Sequence, residues 1–130
     1  MTQPTEPIEF AVAADEITER FTAGSSLSPS ALEELHKICT TSAESQSLAE
    51  HGRDWWPLAM HWALQGKTPR KPGAVCTPNN TEQVAAIVAV CNKHDLPLTV
   101  AGGRSGVCGS AVPLYGGVVL DVTAMQGIVS

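Results

Sequence analysis

The sequence predicts an α+β chain: an α/β-like unit over residues 74–130, preceded by a helical extension. Three observations predict it. Between residues 74 and 100, apolar runs of strand length flank a stripe at helical spacing. A glycine-rich loop follows the second run and leads to a third, β-branched one. Upstream of residue 68, the apolar residues recur at helical spacing instead.

In chain order, residues 1–27 read as a flexible arm, because residues 1–7 are polar and proline-containing and residues 22–27 are mostly small and polar. Residues 28–73 read as a helical extension and linker. Ser28-Pro29 is a helix start, with serine at the cap and proline in the first turn. Leu32, Leu35 and Ile38 follow at helical spacing, which predicts a helix over 29–40 and a polar loop over 40–47. His51-Gly52-Arg53-Asp54-Trp55-Trp56-Pro57 opens a second helix over 57–65. Its tryptophans, with Trp62, either pack that helix onto the protein or line a cavity. Asp54 and His61 are conceivable as an acid–base pair, with no partner motif beside them. Residues 68–73, with Pro69 and Pro72, read as a linker.

Residues 74–130 form the compact unit. Ala74-Val75-Cys76-Thr77 is a strand closed by Pro78. Asn80 or Thr81 caps a helix whose expected apolar stripe is Val84, Ala85, Ile87, Val88 and Cys91. Residues 96–100 make a second strand. Strand, helix, strand at this spacing is a βαβ unit, so the two strands are expected to run parallel with a right-handed crossover. Residues 118–122 make a third strand.

The chain has 130 residues, 43% hydrophobic and 16% charged, the size and composition of one globular domain. The net charge of -5, without a long basic block, argues against nucleic acid or an anionic membrane as main partner. The N-terminal residues are acidic and carry no secretory or mitochondrial signal, so a cytoplasmic location is expected. No run approaches the roughly 20 apolar residues that span a bilayer. Cys39, Cys76, Cys91 and Cys108 form no C-x-x-C pair. His36 with Cys39, and Cys91 with His94, would make a zinc site only if their helices met, and the simpler reading is reduced, mostly buried thiols.

The chemistry lies in the loop after the second strand, Ala101-Gly102-Gly103-Arg104-Ser105-Gly106-Val107-Cys108-Gly109-Ser110. The carboxyl ends of parallel strands open onto a crevice where phosphates bind. Glycine lets a ligand approach the backbone, and successive free N–H groups form an anion nest. Ser105 and Ser110 can add hydroxyl donors, and Arg104 can add charge or lie in solvent. A plain glycine-rich turn is the alternative. The loop is not a P-loop, because Gly66-Lys67-Thr68 lacks the upstream glycine and follows a helix. It is not the dinucleotide fingerprint either: Gly103, Gly106 and Gly109 are spaced by three and lead to another strand. The loop is therefore expected to use its own N–H groups without a helix dipole behind it.

An ordered set of motifs goes further: Pro78, Thr81-Glu82-Gln83-Val84, Gly102-Gly103-Arg104-Ser105, Gly109, Gly117-Val118-Val119-Leu120-Asp121 and Met125. This set resembles the FAD-binding domain of the vanillyl-alcohol oxidase and p-cresol methylhydroxylase superfamily. It looks most like the branch of alkyldihydroxyacetonephosphate synthase, D-lactate dehydrogenase and glycolate oxidase subunits. The upstream Arg53-Asp54-Trp55-Trp56-Pro57 looks like the synthase-like members.

The resemblance implies an incomplete FAD-binding domain in residues 74–130, with the pyrophosphate contact carried by Thr99, Val100, Ala101, Gly102, Gly103, Arg104, Ser105, Gly106 and Gly109. Arg104 departs from the pattern, standing where this branch often has a third glycine. It also stands where several superfamily members bond FAD to a histidine, so the implied FAD is non-covalent. The implied parent is a flavin-dependent oxidoreductase of 2-hydroxy acids, or an alkylglycerone-phosphate synthase-like enzyme, with a small-molecule substrate and its catalytic residues elsewhere. The competing readings are a phosphate-binding module or a truncated remnant without catalytic activity.

Overall fold

The protein is described by a computed structural model that covers residues 8–129. Within them the elements run β1 (Thr18–Glu19), α1 (Pro29–Ile38), β2 (Thr40–Ser42), α2 (Ser45–Glu50), α3 (Pro57–Ala63), β3 (Lys67–Thr68), β4 (Ala74–Thr77), α4 (Thr81–Lys93), β5 (Leu98–Ala101) and β6 (Val118–Asp121). Both main helices start as their sequences dictate. The Ser28 hydroxyl accepts from the Ala31 N–H and the Asn80 side chain from the Gln83 N–H.

The main sheet has the order β2-β4-β6-β5. Strands β4, β6 and β5 are parallel, and β2 runs antiparallel on the outer side of β4. The strands flanking α4 therefore share a direction, as expected, but they are not neighbours, because β6 lies between them. The burial explains the order. Val118, Val119 and Leu120 are covered on both faces, which is what a central parallel strand needs. Strand β5 carries the exposed Val100 and takes the edge.

One face of the sheet presents Cys76, Val118 and Leu120 to Leu35 of α1 and to Ile87, Val90 and Cys91 of α4. The other face gathers Val75, Ala101, Ala111 and Val119 under Leu48 of α2. The buried stripe of α4 is thus Val84, Ile87, Val90 and Cys91 rather than the expected set. Val88 and Ala85 are exposed. Val88 follows Ile87 directly and is turned about 100° away from it.

The segment upstream of residue 74 differs more from expectation. The polar loop expected over 40–47 contains β2 and the start of α2. Thr41 is held there by donating from its hydroxyl to the carbonyls of Leu35 and Cys39. The arm expected to be loose is strapped down from Ile8 onward. Ile17 is buried, β1 pairs in parallel with β3, and the N–H groups of Ala11 and Phe21 donate to the carbonyls of Ala63 and Pro69. The expected linker supplies the Pro69 carbonyl and is itself covered: Thr68 and Pro69 are fully buried. Residues 1–7 lie outside the described residues.

Trp62 sits edge-on to both Phe21 and Trp56, with ring centroids 5.7 and 5.5 Å apart. This is the packing use of the tryptophans. Asp54 is buried and accepts from the Trp56 N–H, while His61 is exposed and bonded to Gln65, so they do not form a pair. Helices α1 and α4 do meet, but there His94 is engaged by Glu34 at 3.0 Å. Among the described residues no three His, Cys, Asp or Glu side chains are placed to hold a metal ion. Burial pushes the Cys76 thiol up to about 12. Among the described residues no helix is long and apolar enough to cross a membrane.

Candidate functional site

The parallel strands β4, β6 and β5 bring their carboxyl ends to one edge of the sheet, and the glycine-rich loop leaves β5 there. Of the residues singled out from sequence, Gly102, Gly103, Arg104, Ser105, Gly106 and Gly109 lie together in that loop. Ala101 is buried beneath it against Val75 and Val119. Thr99 and Val100 lie further down the strand, Thr99 partly buried and Val100 on the exposed edge.

The loop backbone is open to a ligand. A β-carbon added at Gly102 or Gly103 would meet nothing within 4 Å. None of the N–H groups of residues 102–110 donates to a backbone carbonyl among the described residues. No helix starts between Gly102 and β6, so these donors act without a helix dipole. A run of unclaimed N–H groups that opens on two glycines with free space beside them is suited to an anion.

Three contacts hold the loop from outside. Arg104 sits at φ +54°, in the left-handed region that glycine prefers. Its guanidinium neither lies in solvent nor points into the loop but donates to the Glu50 carbonyl at the end of α2. There a positive charge meets one of the unpaired carbonyls of a helix terminus. The Trp55 N–H donates to the Gly106 carbonyl at 3.0 Å, and Trp56 packs against Gly109.

A further pair stands beside the loop. His51 Nε2 lies 2.8 Å from Asp121 Oδ2, and both side chains are largely buried. Asp121 ends β6 opposite Ala101, directly before the loop. Burial alone would raise its carboxyl, but bonds from Thr123 and His51 outweigh that and hold it below the ordinary carboxylate range. Nothing local in the sequence gives either residue a role. The only signal was Asp121's place at a strand end, where ligands gather.

Comparison with known proteins points the same way as this geometry. Residues 72–130 match the family described as FAD binding domain. The matched segment contains β4, α4, β5, the glycine loop and β6. A D-lactate dehydrogenase of Anaerostipes hadrus is 39% identical over 66 residues, 51% of this chain and 14% of that protein. A D-2-hydroxyglutarate dehydrogenase of Stutzerimonas stutzeri is 35% identical over 85 residues, 65% of this chain and 16% of that protein. Among solved structures, an alkyldihydroxyacetonephosphate synthase superposes with a TM-score of 0.74 at 15% identity, covering 98% of this chain and 24% of that one, a likeness of fold alone. A p-cresol methylhydroxylase superposes with a TM-score of 0.62 at 26% identity, covering 78% of this chain and 19% of that one. The synthase superposition takes in the segment before residue 72 as well. The chain spans a small part of the length of every one of these relatives.

The residues present fit the diphosphate of FAD: unclaimed N–H groups, no β-carbon at Gly102 or Gly103, and a neighbouring carboxylate already paired.

Proposed function

We propose that residues 74–130 supply the first part of an FAD site, and that residues 99–110 hold the FAD pyrophosphate without a covalent bond. The observation that carries this reading is the coincidence of the family match with a loop of unclaimed N–H groups at the carboxyl ends of parallel strands. Thr99, Val100 and Ala101 set the strand from which the loop departs. Gly102, Gly103, Arg104, Ser105, Gly106 and Gly109 form the cradle. Bound FAD supplies the redox chemistry through its isoalloxazine ring.

The parent activity in this reading is that of a flavin-dependent oxidoreductase with a small-molecule substrate. A 2-hydroxy acid is favoured by the names of the relatives, which include D-lactate and D-2-hydroxyglutarate dehydrogenases and a glycolate oxidase subunit. An alkylglycerone-phosphate synthase-like activity has the structural likeness behind it. The acidic composition, with a net charge of -5, weighs against nucleic acid as a partner.

Titrating the chain into FAD and following flavin fluorescence tests the reading. Weak, saturable binding that inorganic pyrophosphate displaces is the expected result. Binding that pyrophosphate leaves untouched would place the flavin somewhere other than this loop.

A further inference from the structure

His51 has an acceptor at each ring nitrogen. Its Nδ1 lies 2.9 Å from the Ser47 carbonyl oxygen, and its Nε2 lies 2.8 Å from the Asp121 carboxylate. A carbonyl and an ionised carboxylate only accept, and a neutral imidazole carries a single N–H. Both bonds are therefore made only when the ring carries both protons. In that form the ring and Asp121 form a neutral pair.

The placement of that pair gives it leverage. Asp121 is in register with Ala101, and the Val122 N–H donates to the Ala101 carbonyl at 2.9 Å. Gly102, the first loop residue, comes next. On the other side His51 follows Glu50, whose carbonyl takes the Arg104 guanidinium. The end of α2 thus grips the loop region at two points, through Glu50 to Arg104 and through His51 to the end of β6. The neighbouring charged groups are Arg104, held on the Glu50 carbonyl, the Glu50 carboxylate, paired with Arg53 at 3.0 Å, and the buried Asp54, which accepts from the Trp56 N–H. Asp121, in register with the residue before the loop, is left without its cationic partner when His51 loses its charge.

We propose that His51, acting through Asp121, is a positioning residue for the loop at 102–110, and that its proton governs how firmly the loop holds the diphosphate of FAD. The inference rests on the reading of the loop as an FAD site. The sign follows from the geometry. With the ring protonated, the grip is complete and the carboxylate is neutralised. When the ring loses a proton, one bond is lost and an uncompensated negative charge faces a ligand that is itself an anion. Retention of FAD is therefore greatest with the ring doubly protonated and falls, with rising pH, as that proton is lost.

The test uses the full chain, with two readouts. The first needs no flavin: amide resonances of residues 102–110 are followed by NMR from about pH 5.5 to about pH 8.5, alongside the His51 ring protons. In the wild type the loop resonances are expected to shift along the same curve as the ring. In His51→Gln, which keeps one donor for Asp121 and does not titrate, that curve should vanish. The second readout is FAD affinity by fluorescence over the same range. About a tenfold weakening with rising pH is expected in the wild type and a flat profile in His51→Gln, with His51→Phe weak at every pH. Loop resonances that ignore the ring titration would overturn the inference, as would a wild-type affinity profile matching that of His51→Gln. Should the wild type take no FAD at any pH, the reading as an FAD site fails, and the flavin-free NMR curve alone decides whether His51 positions the loop.

Discussion

The ring of Trp56 lies 3.4 Å from the point where a β-carbon on Gly109 would stand. Gly109 itself sits at φ +77°, so the position is constrained twice, by its backbone and by its neighbour. Gly109→Ala is expected to destabilise the chain by roughly 1–2 kcal/mol, chiefly through left-handed strain. Gly109→Val should cost more, because its branches must displace the tryptophan. Urea unfolding of the three proteins checks the order, and equal midpoints would show that the loop is not braced here.

Gly103 is the opposite case. Its φ is not in the left-handed region, and its β-carbon position is open. Gly103→Val should therefore fold normally, by circular dichroism and melting, yet lose FAD, because the branched side chain would occupy the approach to the N–H groups. Flavin content equal to wild type would remove this loop from the site.

Strand β5 is an edge strand carrying Val100 at 57% exposure. Unpaired N–H and C=O groups beside an apolar side chain favour association. The isolated chain is expected to self-associate with rising concentration, and Val100→Lys to shift it toward monomer. Sedimentation velocity at several concentrations checks this. A monomer at every concentration would contradict it.

Flavin attachment can be read directly. Arg104 stands after the Gly102-Gly103 pair, and a guanidinium is a poor nucleophile. His51, the histidine beside the loop, has both ring nitrogens occupied. Cys108 is exposed rather than packed, and is the thiol of the loop. Acid precipitation of the flavin-loaded parent should leave the yellow colour in the supernatant. Colour on the pellet, mapped to a peptide over residues 99–110, would make Cys108 a site of attachment.

Much of the C-terminal half was legible because its signals are local. Asn80 caps a helix, four-residue β-branched runs make strands, and the loop glycines follow a strand end. What was not legible is non-local. Nothing in the spacing of Val118, Val119 and Leu120 says that they enter between β4 and β5. The arm from Ile8 looked loose because its partners, the carbonyls of Ala63 and Pro69, are far away in sequence. The His51–Asp121 pair spans 70 positions and leaves no periodic trace. Arg104 was recognised as a departure from the expected glycine. Its tie to Glu50 needed the fold.

The placement of β6 between β4 and β5 also fixes an order of events in time. During synthesis β4, α4 and β5 leave the ribosome before β6 exists, and they have no ladder to form with one another. The sheet closes only when residues 118–121 arrive and join β4, already paired with β2, to β5. Until that moment β5 has no strand partner and β4 has β2 on one side alone, so a pause in translation just upstream of Val118 would lengthen the interval in which a chaperone, or another nascent chain, can seize them.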